Sequence, residues 1–164
     1  MSDNYFNIID NFLDEGSFNF LKNAMISDTF PWYYNDQKVD FNDGAYQFTH
    51  VFYNNYKPNS DYLGILNPIF DKLKIKALRR IKANFIFKDV EIKKFDWHTD
   101  FSDSANQFTS IYYLNTNNGK TIFENDKTIK SVSNRMITFN SNIKHRGTTT
   151  TDSKYRLLLN INWY

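Results

Sequence analysis

The chain has 164 residues, 20 Lys and Arg against 18 Asp and Glu, and no cysteine. That near-neutral balance gives no clear signal for a nucleic-acid or membrane partner, and the absence of cysteine rules out a disulfide scaffold. The opening Met1-Ser2-Asp3-Asn4-Tyr5 lacks a basic stretch followed by an apolar one, so a cytoplasmic location is the expectation, and the length suits one domain with a real core. The 16 Phe and 11 Tyr favour β structure, where flat aromatic side chains pack well on a pleated surface.

The first predicted element is a short strand, Tyr5 to Ile9. A helix is predicted from about Ser17 to Ile26, because Phe18, Leu21 and Met25 fall at i, i+3 and i+7 and form one apolar stripe. Tyr46 to Tyr53 alternates as a strand does. A second helical region is expected after Ser60, with Pro68 behind Asn67 marking a fresh start by cap and first-turn logic. Arg79 to Lys88 alternates polar with apolar residues (Ile81, Ala83, Phe85, Phe87) and reads as the first core strand. Strands and short turns then run to Tyr164. The expected fold is α+β, mainly β: a double-stranded β-helix (jelly-roll) core over about 79–164, with a helical N-terminal part over about 1–78, all in a single domain 1–164.

Three features invite a plain structural reading. The basic run Lys72, Lys74, Lys76, Arg79, Arg80 and Lys82 is interleaved with apolar residues and reads as a solvated face. His50, inside an apolar strand, is expected to be structural. Arg146 is expected to point outward, because neighbouring strand residues alternate in direction.

His98-Thr99-Asp100 is different. The chain has only 3 histidines, and His98 and His145 fall where an H-x-D…H pattern needs them. Two imidazoles and one carboxylate form the facial set that holds non-haem iron(II) and leaves other coordination positions open, so the pattern predicts an oxygen-activating enzyme. If Trp97 to Phe101 is a strand end, His98 and Asp100 leave the same face. Arg156 begins the final apolar run, Arg156 to Tyr164, and a guanidinium at the mouth of such a strand needs a partner. A dicarboxylate ligand would supply one through a bidentate contact.

These residues, with Ser110-Ile111-Tyr112-Tyr113-Leu114-Asn115, Asn118-Gly119-Lys120-Thr121-Ile122-Phe123 and Asn134-Arg135-Met136-Ile137-Thr138-Phe139, resemble the core of the Fe(II)/2-oxoglutarate-dependent oxygenases, prolyl 4-hydroxylase branch, from about Ile81 to Tyr164. The N-terminal Ile8 to Leu13 and Phe30 to Asp36 look like the short members of this family found in bacteriophage genomes, for which the cytoplasm would be that of the host. The resemblance implies that His98, Asp100 and His145 bind iron and are catalytic, and that Arg156 pairs with the distal carboxylate of 2-oxoglutarate. It implies that Tyr113 hydrogen-bonds the same carboxylate, although a core aromatic is an equally simple reading, and that Thr121 is the threonine of a Gly-Gly-x-Thr-x-Phe motif. Asn118 replaces the first glycine of that motif, and because asparagine tolerates positive φ the turn is expected to survive. Phe95 stands where the family often has tyrosine.

Fe(II), 2-oxoglutarate and O2, with ascorbate as an accessory, are therefore the implied cofactors and cosubstrates. The implied reaction is hydroxylation of a C–H bond with release of succinate and CO2, and the implied substrate is a prolyl residue in a peptide or protein. Nucleic-acid demethylases that share the triad carry a second arginine six residues after the first, and here that position is Asn162. A base, a small molecule, or a jelly-roll binding or structural module without turnover stay open as alternatives. Phe101 to Phe108 and Trp32-Tyr33-Tyr34 are the expected lid.

Overall fold

A computed structural model describes residues 6–36, 46–101 and 106–164. Strand β1 (Phe6–Ile9) leads into helix α1 (Glu15–Ile26), whose N-cap Asp14 accepts a hydrogen bond from the Ser17 amide. The cap and the stripe explain why a helix forms here: Phe18, Leu21 and Met25 are its buried residues. Edge strand β2 (Tyr33–Asn35), strand β3 (Gln47–Asn54) and the short β4 (Lys57–Pro58) follow. The region after Ser60 is helical, as predicted, but splits into a 3-10 turn (Asp61–Leu66) capped by the Ser60 hydroxyl and a short α2 (Asn67–Leu73) with proline in its first turn.

The core strands are β5 (Leu78–Phe87), β6 (Phe108–Tyr113), β7 (Lys120–Phe123), β8 (Thr128–Lys130), β9 (Arg135–Asn140), β10 (His145–Gly147) and β11 (Tyr155–Trp163). They form two antiparallel sheets, a large one in the order β1-β9-β6-β11-β5-β3-β2 with β4 on β3, and a small one in the order β10-β7-β8. This is a mainly β jelly roll with two short helices, as the residue pattern predicts. The first 78 residues are less helical than expected, since β1, β2, β3 and β4 all join the large sheet.

Alternation along β5 and β11 decides what each face does. Ile81 and Ala83 of β5, with Leu157, Leu159 and Ile161 of β11, join Leu21, Met25, Leu66 and Ile69 in a core under the helices. Burying each such side chain stabilises the fold by about 1.5–3 kcal/mol before entropy is charged against it. A second cluster, built from Ile111, Phe123, Ile129, Ile137, Phe139 and Leu158, fills part of the space between the two sheets. The rest of that space is a cavity.

Two local expectations are corrected. Trp97 to Phe101 is not a strand: His98 makes one isolated antiparallel bridge to His145, and its neighbours are irregular. Asn118 is not among the residues of positive φ, so its turn is held by side-chain hydrogen bonds instead. Its amide nitrogen donates to Thr151 Oγ1, and its Oδ1 accepts from the Thr150 hydroxyl and the Thr151 amide.

Asn134 does take positive φ, 61°, and it ties the N-terminal segment to the barrel. Its buried carboxamide accepts from the Leu13 amide and the Tyr112 hydroxyl and donates to the Leu13 carbonyl. Replacing it with alanine strands three buried polar groups and strains the backbone. Asn134→Ala should therefore cost about 2–4 kcal/mol, read as a lower urea midpoint at unchanged slope. A midpoint like that of the unmodified chain would show that water replaces the whole network.

Candidate active site

The cavity between the sheets measures about 270 Å³, at the small end of ligand pockets, which typically run from about 300 to 1,000 Å³. Its walls come from Arg80, Lys82, Asn84 and Ile86 of β5, Arg156, Leu158 and Asn160 of β11, Thr121 of β7, His145 and Gly147 of β10, and the segment holding Phe95 and His98 to Asp100.

His98, Asp100 and His145 each offer a ligand atom to one point, all of these atoms lying within 4.8 Å of one another. The mutual bridge, His98 amide to His145 carbonyl and the reverse, sets the two histidines side by side with ring centroids 4.5 Å apart. Each ring directs Nδ1 at the carbonyl two residues earlier, Asp96 for His98 and Ile143 for His145. Those contacts place the proton on Nδ1 and leave Nε2 as the ligand atom. Burial is the largest influence on His98 and holds it below the usual histidine range, which favours the neutral, ligating form.

Asp100 has a side chain only 3% exposed. It is held by Arg80 Nη2 at 2.9 Å, by the Thr109 hydroxyl at 2.8 Å and by Asn162 Nδ2 at 3.2 Å, with longer contacts from Asn160. Burial alone would push the pKa of this carboxyl up, but the pull of His145, Arg80 and His98 and the Thr109 bond hold it far below the usual carboxylate range. It is a permanent anion.

Arg156 is 2% exposed and makes no ion pair among the described residues. Its Nε donates to Ser131 Oγ, Nη1 to the Thr148 carbonyl at 3.3 Å, and Nη2 to Thr121 Oγ1 at 3.2 Å. Burial lowers its basicity and Tyr113 opposes that, but a guanidinium stays charged at any physiological pH. Two glycines make room for it: a Cβ on Gly119 would sit 2.6 Å from Arg156 Cδ, and one on Gly147 would sit 3.2 Å from Nη1. Tyr113 is fully buried behind Thr121, to which its hydroxyl donates at 2.7 Å. Asn160, which touches Asp100, lies four positions after Arg156 on β11, about 13 Å along the strand.

Several residues at the site escaped the sequence reading. Arg80 and Lys82 belong to the basic run expected on a solvated face, yet both line the cavity, because alternate β5 residues face it. Asn162, marked as the missing second arginine, accepts from Arg80 Nε at 3.0 Å, so a guanidinium reaches this spot from another strand. His50 is structural, as expected, with Nδ1 on the Pro31 carbonyl and Nε2 on the Ser60 hydroxyl. Arg146 is only half exposed and stacks on Trp97, 4.1 Å from the ring centre. Of the expected lid, Trp32 packs on Phe30 and Phe85 in the core, Tyr33 and Tyr34 are exposed on β2, and residues 102–105 lie outside the described residues. Phe101 lies under Arg79 and Arg80.

Similarities to known proteins agree with this geometry. No curated protein matches in sequence. The family model described as the 2OG-Fe(II) oxygenase superfamily matches residues 85–164. The fold is similar to a solved Pseudomonas putida prolyl-4-hydroxylase (TM-score 0.60, 13% identity, 99% of this chain and 92% of that one). It is also similar to a Trichoplax adhaerens prolyl hydroxylase solved with a hypoxia inducible factor peptide (TM-score 0.62, 16% identity, 97% and 82%). A non-heme alpha ketoglutarate dependent epimerase from nogalamycin biosynthesis gives a TM-score of 0.67 at 9% identity, covering 98% and 78%. The part of the chain that carries the His-Asp-His cluster and most of the jelly roll is thus similar to the 2OG-Fe(II) oxygenase superfamily, whose members use Fe(II), 2-oxoglutarate and O2.

Proposed function

We propose that this chain hydroxylates a C–H bond of a prolyl residue in a peptide or protein, with His98, Asp100 and His145 as the iron ligands and Arg156 as the anchor of 2-oxoglutarate. The observation that carries the oxygenase reading is the pairing, in one small cavity, of a three-residue metal set with a buried guanidinium that has no carboxylate partner among the described residues. The prolyl reading is supported by the similarity of fold to prolyl hydroxylases.

Each residue's task follows from its surroundings. The two Nε2 atoms and the Asp100 carboxylate would hold iron(II), and a set of only three protein ligands would leave it free to bind a cosubstrate as well. Arg156 and the Thr121 hydroxyl receive the distal carboxylate, with the Tyr113 hydroxyl close behind to complete the donor set. Once bound, iron and 2-oxoglutarate supply the chemistry: O2 is split so that one oxygen atom enters succinate as CO2 leaves and the other enters the C–H bond. The protein decides which C–H bond lies within reach.

Purified chain with iron(II) should convert 2-oxoglutarate to succinate, and proline-containing peptides should raise the rate and gain one oxygen atom by mass spectrometry. Turnover with no peptide in a broad panel modified would remove the prolyl assignment and leave the oxygenase one. Asp100→Ala and His145→Ala should each lower coupled turnover by more than about 100-fold, because outer-sphere changes alone cost about 10–100-fold at such sites. His50→Ala should weaken the fold yet bind Mn(II) as the unmodified chain does, and equal metal loss in His50→Ala and His145→Ala would reassign the ligand. Arg156→Lys keeps the charge but loses the planar fork, so the KM for 2-oxoglutarate should rise by about tenfold or more while Mn(II) affinity barely moves. An unchanged KM would move the anchor to another cation.

A further inference from the structure

The charged residues that line the cavity do not balance. Among the described residues Arg80, Lys82 and Arg156 face it as cations and Asp100 as the one carboxylate. Iron(II) and the 2-oxoglutarate dianion cancel each other when both are present, so two positive charges stay uncompensated. Arg80 is committed to Asp100 and Asn162. Lys82 is not: it makes no hydrogen bond or ion pair among the described residues, although it is only partly exposed and lies across from Asn160, a neighbour of Asp100. An ammonium drawn out of water without a partner is costly, and an approaching anion removes that cost.

We infer that Lys82 determines substrate specificity by receiving an anionic group, a carboxylate or a phosphate, carried by the molecule that is oxidised. Position supports this over a second contact to the cosubstrate. Arg156 lies beside Ile86 in the strand register, whereas Lys82 lies beside Asn160, at the metal end of the same wall. An anion held at Lys82 is therefore beside the metal and away from the guanidinium that the cosubstrate would occupy. The oxidised C–H then belongs to a group close to an acid, such as a residue with a free α-carboxylate or one next to an acidic or phosphorylated side chain. The inference rests on the oxygenase reading and not on the prolyl one.

The test uses the full chain loaded with Mn(II) and 2-oxoglutarate, titrated with acetate, methyl phosphate and neutral acetamide. Mn(II) broadens the methyl proton signal of any probe that binds near it. Acetate or methyl phosphate should bind and broaden while acetamide does not, and the tighter of the two names the acid class. In Lys82→Met the anion affinity should fall by about tenfold or more, the scale of losing one hydrogen bond to a charged group, with 2-oxoglutarate affinity within about twofold of the unmodified chain. Lys82→Arg should retain most of the anion affinity. Equal binding of acetate and acetamide, or anion binding indifferent to Lys82→Met, overturns the inference. So does a Lys82→Met variant whose main loss is in 2-oxoglutarate affinity, since that makes Lys82 a cosubstrate ligand. Failure of the unmodified chain to bind Mn(II) and 2-oxoglutarate at all overturns the oxygenase reading instead.

Discussion

A single buried charge governs much of this architecture. Arg156 lies between two sheets, out of water, with neutral oxygens as its only partners among the described residues. Such a site is stable only when geometry is fixed around it, because each donor that loses its acceptor adds a penalty of about 1–3 kcal/mol. The fixing elements are visible. Gly119 leaves space where any side chain would collide, Gly147 leaves space where a Cβ would fit only tightly, Ser131 and Thr121 present hydroxyls, and the Asn118 carboxamide closes the turn that carries Gly119. The motif around Gly119 is thus less about backbone freedom than about room: the neighbouring asparagine needs no positive φ, while the glycine cannot acquire a Cβ.

The opposite end of the cavity solves the converse problem, a buried anion. Asp100 draws donors from three strands of the large sheet, Arg80 on β5, Thr109 on β6 and Asn162 on β11. These bonds and the His98–His145 bridge hold a non-strand segment against the sheet, so the H-x-D pair converges with His145 although Trp97 to Phe101 has no ladder of its own. Orientation of a metal-binding carboxylate by such outer hydrogen bonds is usual, and here it couples the metal set to the sheet that forms the main core.

What could be read from the residues, and what could not, divides along physical lines. The meeting of His98, Asp100 and His145 is legible because histidine is scarce in this chain and its spacing is distinctive, and the special place of Arg156 because a charge opening an apolar strand is costly. The helix stripe and the strand alternation gave α1, β3 and β5 within a few residues. Arg80 and Lys82 depart from the solvated face that the basic run predicts, because the run crosses from a helix end into a strand start. The two elements have different periods, and only within β5 do positions 80, 82 and 84 share a face, the one that lines the cavity with His98, Asp100 and His145. The same rule applied to β11 separates Leu157, Leu159 and Ile161 from Arg156, Leu158, Asn160 and Asn162, a split that marks one face as core and the other as site. The long-range bridges that join residue 98 to residue 145 leave no local trace at all.

The donors on Asp100 also bear on how the site could admit a metal ion without rearranging. A carboxylate offers about four lone-pair directions, and here Arg80 holds Oδ1 while Thr109 and Asn162 hold Oδ2, all at 3.2 Å or less. Asn160 contacts both oxygens at 3.4 and 3.3 Å and leaves its own Oδ1 buried without a partner. Its contacts are the longest and it gains least from them, so they are the ones a cation approaching from the side of His98 and His145 would displace. The remaining three donors then keep the carboxylate aimed, and the orphaned Asn160 carboxamide, beside Lys82 on the cavity wall, is left with both an acceptor and a donor to offer. The Lys82 ammonium and an amide oxygen with no partner among the described residues thus occur together on the side of the cavity away from Arg156.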